Sequence, residues 1–230
     1  MARLVFLRHA HSTANDAGIL SGQIPGISLS VKGRRQAEEL VERIGASSFD
    51  SIRVSPMQRC EETISPWLKS HYSKAIKSYL IDESLIEMDY GSWSGRKLSA
   101  LSREKMWREI QDRPSSVQFP DGERMKSMQK RAISSVASAL AEKKNGTHLF
   151  VSHGDVLKAI VASLLKIKLD DFQSLVIDPA SITIIDFDGS KSRLLAFNDS
   201  HSPIAPMTAM EKSTKALLGG GSRKARSGKR

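Results

Sequence analysis

Apolar residues fall in two rhythms along this chain. Residues 3 to 8, RLVFLR, form a continuous apolar run bounded by charge, the mark of a strand buried on both faces of a parallel sheet. Over residues 30 to 44 the period changes. Ala37, Leu40, Val41 and Ile44 recur at helical spacing behind Ser30, a residue suited to cap a helix N-terminus. Ser51 to Val54 predicts a second short strand. Ser55-Pro56 then reads as a helix start, with the serine as cap and the proline in the first turn. Pro66 is expected to break or kink that helix, with Ser65 capping a second piece. Tyr79-Leu80-Ile81 predicts a further short strand. Residues 123 to 143 predict a helix with Met125, Met128, Ile133, Val136, Ala137 and Leu140 on one face, its methionines read as core filling. His148 to Ser152 predicts a strand, followed by a helix from Asp155 to about Leu165. SITIIDFDGSKSRLLAFND predicts a hairpin around Asp188-Gly189.

Strand–helix alternation closing with a hairpin predicts an α/β fold: a three-layer α/β/α sandwich with a mostly parallel central sheet. The 230 residues suffice for one such domain, and no repeat or boundary interrupts them before about residue 200. The formal net charge of +10 changes the picture only at the end. The last twenty residues hold seven Lys/Arg against Glu211, leaving +4 for the other 210. Residues 201–230 are therefore expected to be a disordered basic Gly/Ser/Lys/Arg tail behind a domain of residues 1–200. The simplest role for it is solubilising; the alternative is a weak, salt-sensitive anchor for nucleic acid or anionic surfaces. The single cysteine, Cys60, excludes an internal disulfide framework and a multi-cysteine zinc module. No apolar run approaches the roughly 18 residues of a membrane span, and the N-terminus does not read as a signal peptide. A cytoplasmic enzyme or binding protein is expected.

Open α/β sheets build their sites at the C-terminal ends of the strands. Here those ends carry polar residues of one chemical kind: Arg8 and His9; Ser55 and then Arg59; Asp82, Glu83 and Glu87; His153 and Gly154. Two arginines, two histidines and a carboxylate in one crevice suit a phosphoryl group. Guanidinium forks bind phosphate oxygens, helix N-termini add N–H donors, imidazole can attack phosphorus, and a carboxylic acid can protonate a leaving alcohol. A three-histidine metal site at His9, His11 and His153 is disfavoured, because Arg8 and Arg59 would set positive charge beside the cation.

RHAHSTAN, SPMQRCEET, LIEMDYGSWSG and VSHGD, in this order over residues 4 to about 157, resemble the four signature blocks of the histidine phosphatase superfamily, the phosphoglycerate-mutase-like fold. The resemblance implies that His9 is a nucleophile that becomes phosphohistidine. It implies that Arg8 and Arg59 clamp the phosphoryl oxygens, that His153 completes the pocket beside Gly154, and that Glu87 is the general acid/base. Asn15 would contact phosphate or substrate, and Ser21, Gly22 and Gln23 would form a substrate-side loop. Ala10-His11 departs from the glycine and acid or amide usual after the nucleophile; His11 is read as a loop or rim residue. QDRPSSVQFPDGERMKSMQKR, residues 111 to 131, resembles the FPGGES-type segment of the phosphatase branch, with Arg124 in place of the usual serine, and lacks the long cap with paired arginines of glycolytic mutases.

The expected function is thus a metal-independent phosphomonoesterase, a phosphatase of the histidine acid type, acting on a small phosphorylated metabolite without metal or cofactor. A cofactor-dependent phosphoglycerate mutase-type phosphomutase is the alternative. A non-catalytic phosphate-ligand or RNA-associated binding protein, held by its basic tail, is the third reading. No membrane partner is expected, nucleic acid only weakly through the tail, and a homodimer is compatible with the sequence.

Overall fold

In the computed structural model, which describes residues 1–73 and 79–208, six strands lie in the order β3-β2-β4-β1-β5-β6. They are β1 (Ala2–Arg8), β2 (Ser51–Val54), β3 (Leu80–Ile81), β4 (Thr147–Ser152), β5 (Ile182–Phe187) and β6 (Ser192–Asp199). β1 and β4, β2 and β4, and β2 and β3 pair in parallel; β5 runs antiparallel to both β1 and β6. The hairpin forms where expected. Its turn is closed by the Asp188 carboxylate, which accepts from the N–H groups of Ser190 and Lys191.

Continuous apolar runs in β1 and β4 follow from their central position, with both faces covered. Alternate side chains of β1 feed two cores. Leu4 and Phe6 pack with Phe150 and the buried residues of α6 (Met125–Glu142) and α7 (Gly154–Leu164). Val5 and Leu7 pack with Leu40 and Ile44 of α2 (Val31–Ile44) and with Ile64 and Trp67 of α3 (Gln58–Leu68). The layers are those of an α/β/α sandwich. Short helices α1 (Thr13–Asp16), α4 (Leu98–Leu101) and α5 (Lys105–Asp112) lie in stretches where no element was expected.

Ser30 caps α2, accepting from the Gly33 N–H at 3.1 Å. Ser55 does not cap α3, which begins at Gln58 behind Met57; its hydroxyl is engaged by His153 instead. Nor does Pro66 divide α3. It stands in the last turn, where little ladder remains to be lost, and the following Trp67 is fully buried with its indole N–H donating to the Gly45 carbonyl at 2.9 Å. The buried stripe of α6 runs through Met125, Met128, Ala132, Ser135, Val136 and Ala139. Ile133 and Leu140 are only partly buried and Ala137 is exposed, so the stripe is shifted by about one position from the expected face. Small residues at 132, 135 and 139 hid it from a hydrophobicity pattern.

The chain stays on the body beyond residue 200. Ile204 is buried, and α8 (Ala205–Thr208) packs near Ser47 through a Thr208–Ser47 hydroxyl bond of 3.0 Å. Of the expected tail, residues 209–230 lie outside the described residues.

Candidate active site

Sheet register brings the strand ends together. Arg8 pairs with Ser152 and Val54 with Val151, so His9, Ser55 and His153 leave adjacent strands at one end of the sheet. The ladder continues one step past them: the His9 N–H donates to the Ser152 carbonyl at 2.8 Å and the Ser55 N–H to the Val151 carbonyl at 2.9 Å. The His9 and His153 rings stand 5.2 Å apart between centroids, tilted by 59°.

His9 is buried, and its Nδ1 lies 2.8 Å from the Ala10 carbonyl oxygen. A carbonyl only accepts, so Nδ1 carries the proton and Nε2 keeps its lone pair. Burial, then the Arg59 and Arg8 cations, hold this imidazole well below the ordinary histidine pKa, so it is neutral. The Ala10-His11 turn is held from three sides. Ala10 N–H donates to Thr63 Oγ1, His11 N–H to Gln36 Oε1, and the His11 carbonyl accepts from Ser30 N–H. A Cβ at Gly33 would stand 1.9 Å from that carbonyl, so only glycine lets the first turn of α2 press so close. Ala10 itself needs no left-handed backbone, and the missing family glycine is accommodated.

Arg59 is fully buried. One Nη2–H donates to the Gly22 carbonyl at 2.9 Å, while its Nε and Nη1 have no hydrogen-bond partner among the described residues. Arg8 donates from Nη1 to the Ile177 carbonyl, and its Nε is likewise unpartnered. A Cβ on Gly154 would lie 3.2 Å from the Arg8 guanidinium carbon, so the absent side chain gives that fork its room. His153 Nε2 meets Ser55 Oγ at 2.8 Å; its Nδ1 is buried without a hydrogen bond and faces Glu87 Oε2 at 3.7 Å. Burial, then Arg59, holds His153 below the ordinary histidine value as well. Buried donors without partners are rare, and here four nitrogens of three residues surround one imidazole.

Of the three acids after β3, Glu87 alone lines the cavity. Asp82 is tied to Arg53 and Ser135, and Glu83 is exposed. Burial, reinforced by the Asp155 charge, pushes the Glu87 carboxyl up to about 7. Its backbone is fixed from α6: Arg131 donates to the carbonyls of Ser84, Ile86 and Glu87 and pairs with Glu123. Gln23 Nε2 holds the Glu87 carbonyl from the other side at 2.8 Å.

Arg8, His9 and Glu87 open onto a cavity of about 390 Å³, which Asn15, Ser21 and Gly154 also line; Arg59 and His153, both fully buried, are not among its lining residues. A family model described as histidine phosphatase superfamily (branch 1) matches residues 4–200. The chain belongs to the histidine phosphatase superfamily. Histidine acid phosphatase is the name of a different family, and the match does not extend to it. The superfamily supports a phosphatase or phosphomutase. The phosphoserine phosphatase 1 of Hydrogenobacter thermophilus is 28% identical over 200 residues, covering 86% of this chain and 92% of the relative. The 2,3-bisphosphoglycerate-dependent phosphoglycerate mutase of Thermoplasma acidophilum is 27% identical over 184 residues, covering 80% and 86%. Among solved structures, Bacillus stearothermophilus YhfR matches with a TM-score of 0.78 at 26% identity, covering 86% of this chain and 98% of that one.

Not every expected residue faces the histidine phosphatase cavity. Gly22 and Gln23 stand behind it, bracing Arg59 and Glu87. Asn15 lines it, but its Oδ1 is used to cap α1, accepting from the N–H and hydroxyl of Ser12. His11 turns away toward Ser30 and Asp16. No residue of FPDGE or Arg124 lines the cavity; that loop packs under Gly91, where a Cβ would stand 2.0 Å from the Pro120 carbonyl oxygen. Sequence reasoning missed Tyr90, Asp155, Lys158 and Gln173 in the cavity wall. Tyr90 and Asp155 lie inside the family-like blocks, and their hydroxyl-to-carboxylate bond of 2.7 Å joins two of those blocks.

Proposed function

We propose that this protein is a metal-independent phosphomonoesterase working through a phosphohistidine at His9. The observation that carries the reading is the ring of unpartnered nitrogens, Arg8 Nε, Arg59 Nε and Nη1 and His153 Nδ1, about an imidazole whose Nε2 lone pair is free. Buried cations of this kind are stabilised once they hold an oxyanion. The dianion of a phosphomonoester supplies three oxygens for them.

In the first step the His9 Nε2–phosphorus bond forms as the phosphorus–oxygen bond to the alcohol breaks. Glu87, protonated near neutrality because of its raised pKa, gives its proton to the departing oxygen. In the second step the Glu87 carboxylate takes a proton from water, whose oxygen attacks phosphorus and expels His9 as neutral imidazole. Phosphate leaves, and Glu87 is already protonated for the next turnover. Ser55 sets the third group. Its oxygen stands 3.4 Å from the Met57 N–H, which leaves its hydroxyl proton for His153 Nε2. His153 then carries its own proton on Nδ1, which faces Glu87 Oε2 at 3.7 Å and is left to donate on the side of the phosphoryl group.

The substrate is read as a small phosphorylated metabolite. A mutase is the second reading, favoured by the phosphoglycerate mutase relative. One experiment separates them: a metabolite panel including 2- and 3-phosphoglycerate, with EDTA present, and acid-labile label sought on His9. Inorganic phosphate and a His9-dependent adduct are expected. Isomerised phosphoglycerate would favour the mutase, and phosphate binding with neither turnover nor adduct would favour a binding protein.

A further inference from the structure

Beyond its floor the cavity has a composition of its own. Ile19, Leu20 and Leu98 line it, as do Leu175, Val176 and Ile177. Leu98 is 40% exposed and Val176 57%, so two exposed apolar side chains border this one opening. Exposed apolar surface at the mouth of a polar pocket marks where the non-reacting part of a ligand rests.

Charge in the same walls runs against a second anion. Lys158 is the lining cation other than Arg8, and it is already spent. Its ammonium lies 3.0 Å from the Asp155 carboxylate, donates to Gln173 Oε1 at 2.7 Å and sits 4.7 Å over the Phe172 ring. Asp155 is held in turn by the Tyr90 hydroxyl. Asp178 adds another carboxylate at the rim. The outer walls thus offer one paired ammonium against two carboxylates. A carboxylate or second phosphoryl group entering there would lose water and meet no free cation among the described residues.

We propose that this cavity selects phosphomonoesters whose alcohol portion is uncharged and apolar, and discriminates against esters bearing a second anionic group. The inference rests on the phosphatase reading above and narrows it, because phosphoserine and phosphoglycerates fall in the disfavoured class.

The test compares kcat/KM of the full chain for phenyl phosphate and 4-carboxyphenyl phosphate, with phosphoserine and 3-phosphoglycerate alongside. The carboxylate makes its phenol the better leaving group, so intrinsic reactivity pulls against the expected order. Phenyl phosphate should still be preferred by about tenfold or more. Val176→Lys places an ammonium at the exposed rim and should shift the ratio toward the carboxylate ester by about tenfold. Equal or better turnover of the carboxylate-bearing esters, or a ratio unmoved by Val176→Lys, overturns the inference while leaving the phosphatase reading intact. Release of phosphate from none of the esters overturns both.

Discussion

Arg59 is the residue whose removal separates binding from folding. It is buried beside His9 and His153, with two nitrogens unpartnered and a third on the Gly22 carbonyl. A buried donor left without a partner costs about 1–3 kcal/mol. Arg59→Met removes two such groups, worth about 2–6 kcal/mol, and orphans one carbonyl, worth about 1–3 kcal/mol in the other direction. Methionine is flexible enough to fill most of the vacated volume. The folded protein without phosphate should therefore change by between a loss of about 1 and a gain of about 5 kcal/mol, centred on a gain of about 2, at about 2–4 °C in Tm for each kcal/mol. Turnover should behave oppositely. Two charge-assisted bonds to phosphoryl oxygens, at about 1.5–3 kcal/mol each, amount to a loss of roughly 10²–10⁴ in kcat/KM. Phosphate-release kinetics and thermal melts, with and without millimolar inorganic phosphate, read both quantities. Phosphate should raise the Tm of the unaltered protein and leave that of Arg59→Met unmoved. A variant with activity within tenfold of the unaltered protein, or one stabilised equally by phosphate, would show that these nitrogens do not face the substrate.

Four further outcomes follow from the same geometry. Glu87→Gln should slow esters of alkyl alcohols far more than those of nitrophenol, since the proton donor matters most when the leaving group is poor; a leaving-group series of kcat measures this. Because the raised pKa of about 7 keeps Glu87 protonated below neutrality, kcat/KM of the unaltered protein should fall as pH rises through about 7, and that limb should vanish in Glu87→Gln. Ser55→Ala should cost roughly tenfold or more in kcat/KM and shift the His153 ring nitrogens in ¹⁵N spectra toward the Nε2–H tautomer, whereas a purely structural role would leave those shifts unchanged. Gly154→Ala crowds the Arg8 guanidinium at 3.2 Å and should raise KM severalfold without lowering Tm, as steady-state kinetics and melting would show.

Strands β1 and β4 were legible because a strand buried on both faces writes itself as an unbroken apolar run, and the closing hairpin because Asp-Gly stands between two apolar stretches; their order in the sheet was not. His9, Arg8 and His153 were legible because they stand one residue beyond such runs. Glu87 needed the family-like block, since nothing local distinguishes it from Asp82 and Glu83 until burial and Arg53 sort them. Ser55 was read as a helix cap, its commonest use, because its partner His153 lies 98 residues away. The small buried residues of α6 and the short helices around residues 98 to 112 left no period to read. Gly22 and Gln23 were recognised as belonging to the site, but only coordinates distinguish a residue that touches the substrate from one that holds another residue in place.

Arg131 ties the backbone at positions 84, 86 and 87 to a long core helix and is not itself part of the lining to which residues 98 and 175–177 contribute. In the proposed reading, proton delivery and ligand preference rest on parts of the chain that can vary separately. Descendants of this protein could trade one metabolite for another by altering a few rim side chains, with the proton donor undisturbed, which is how a single scaffold can come to serve many pathways.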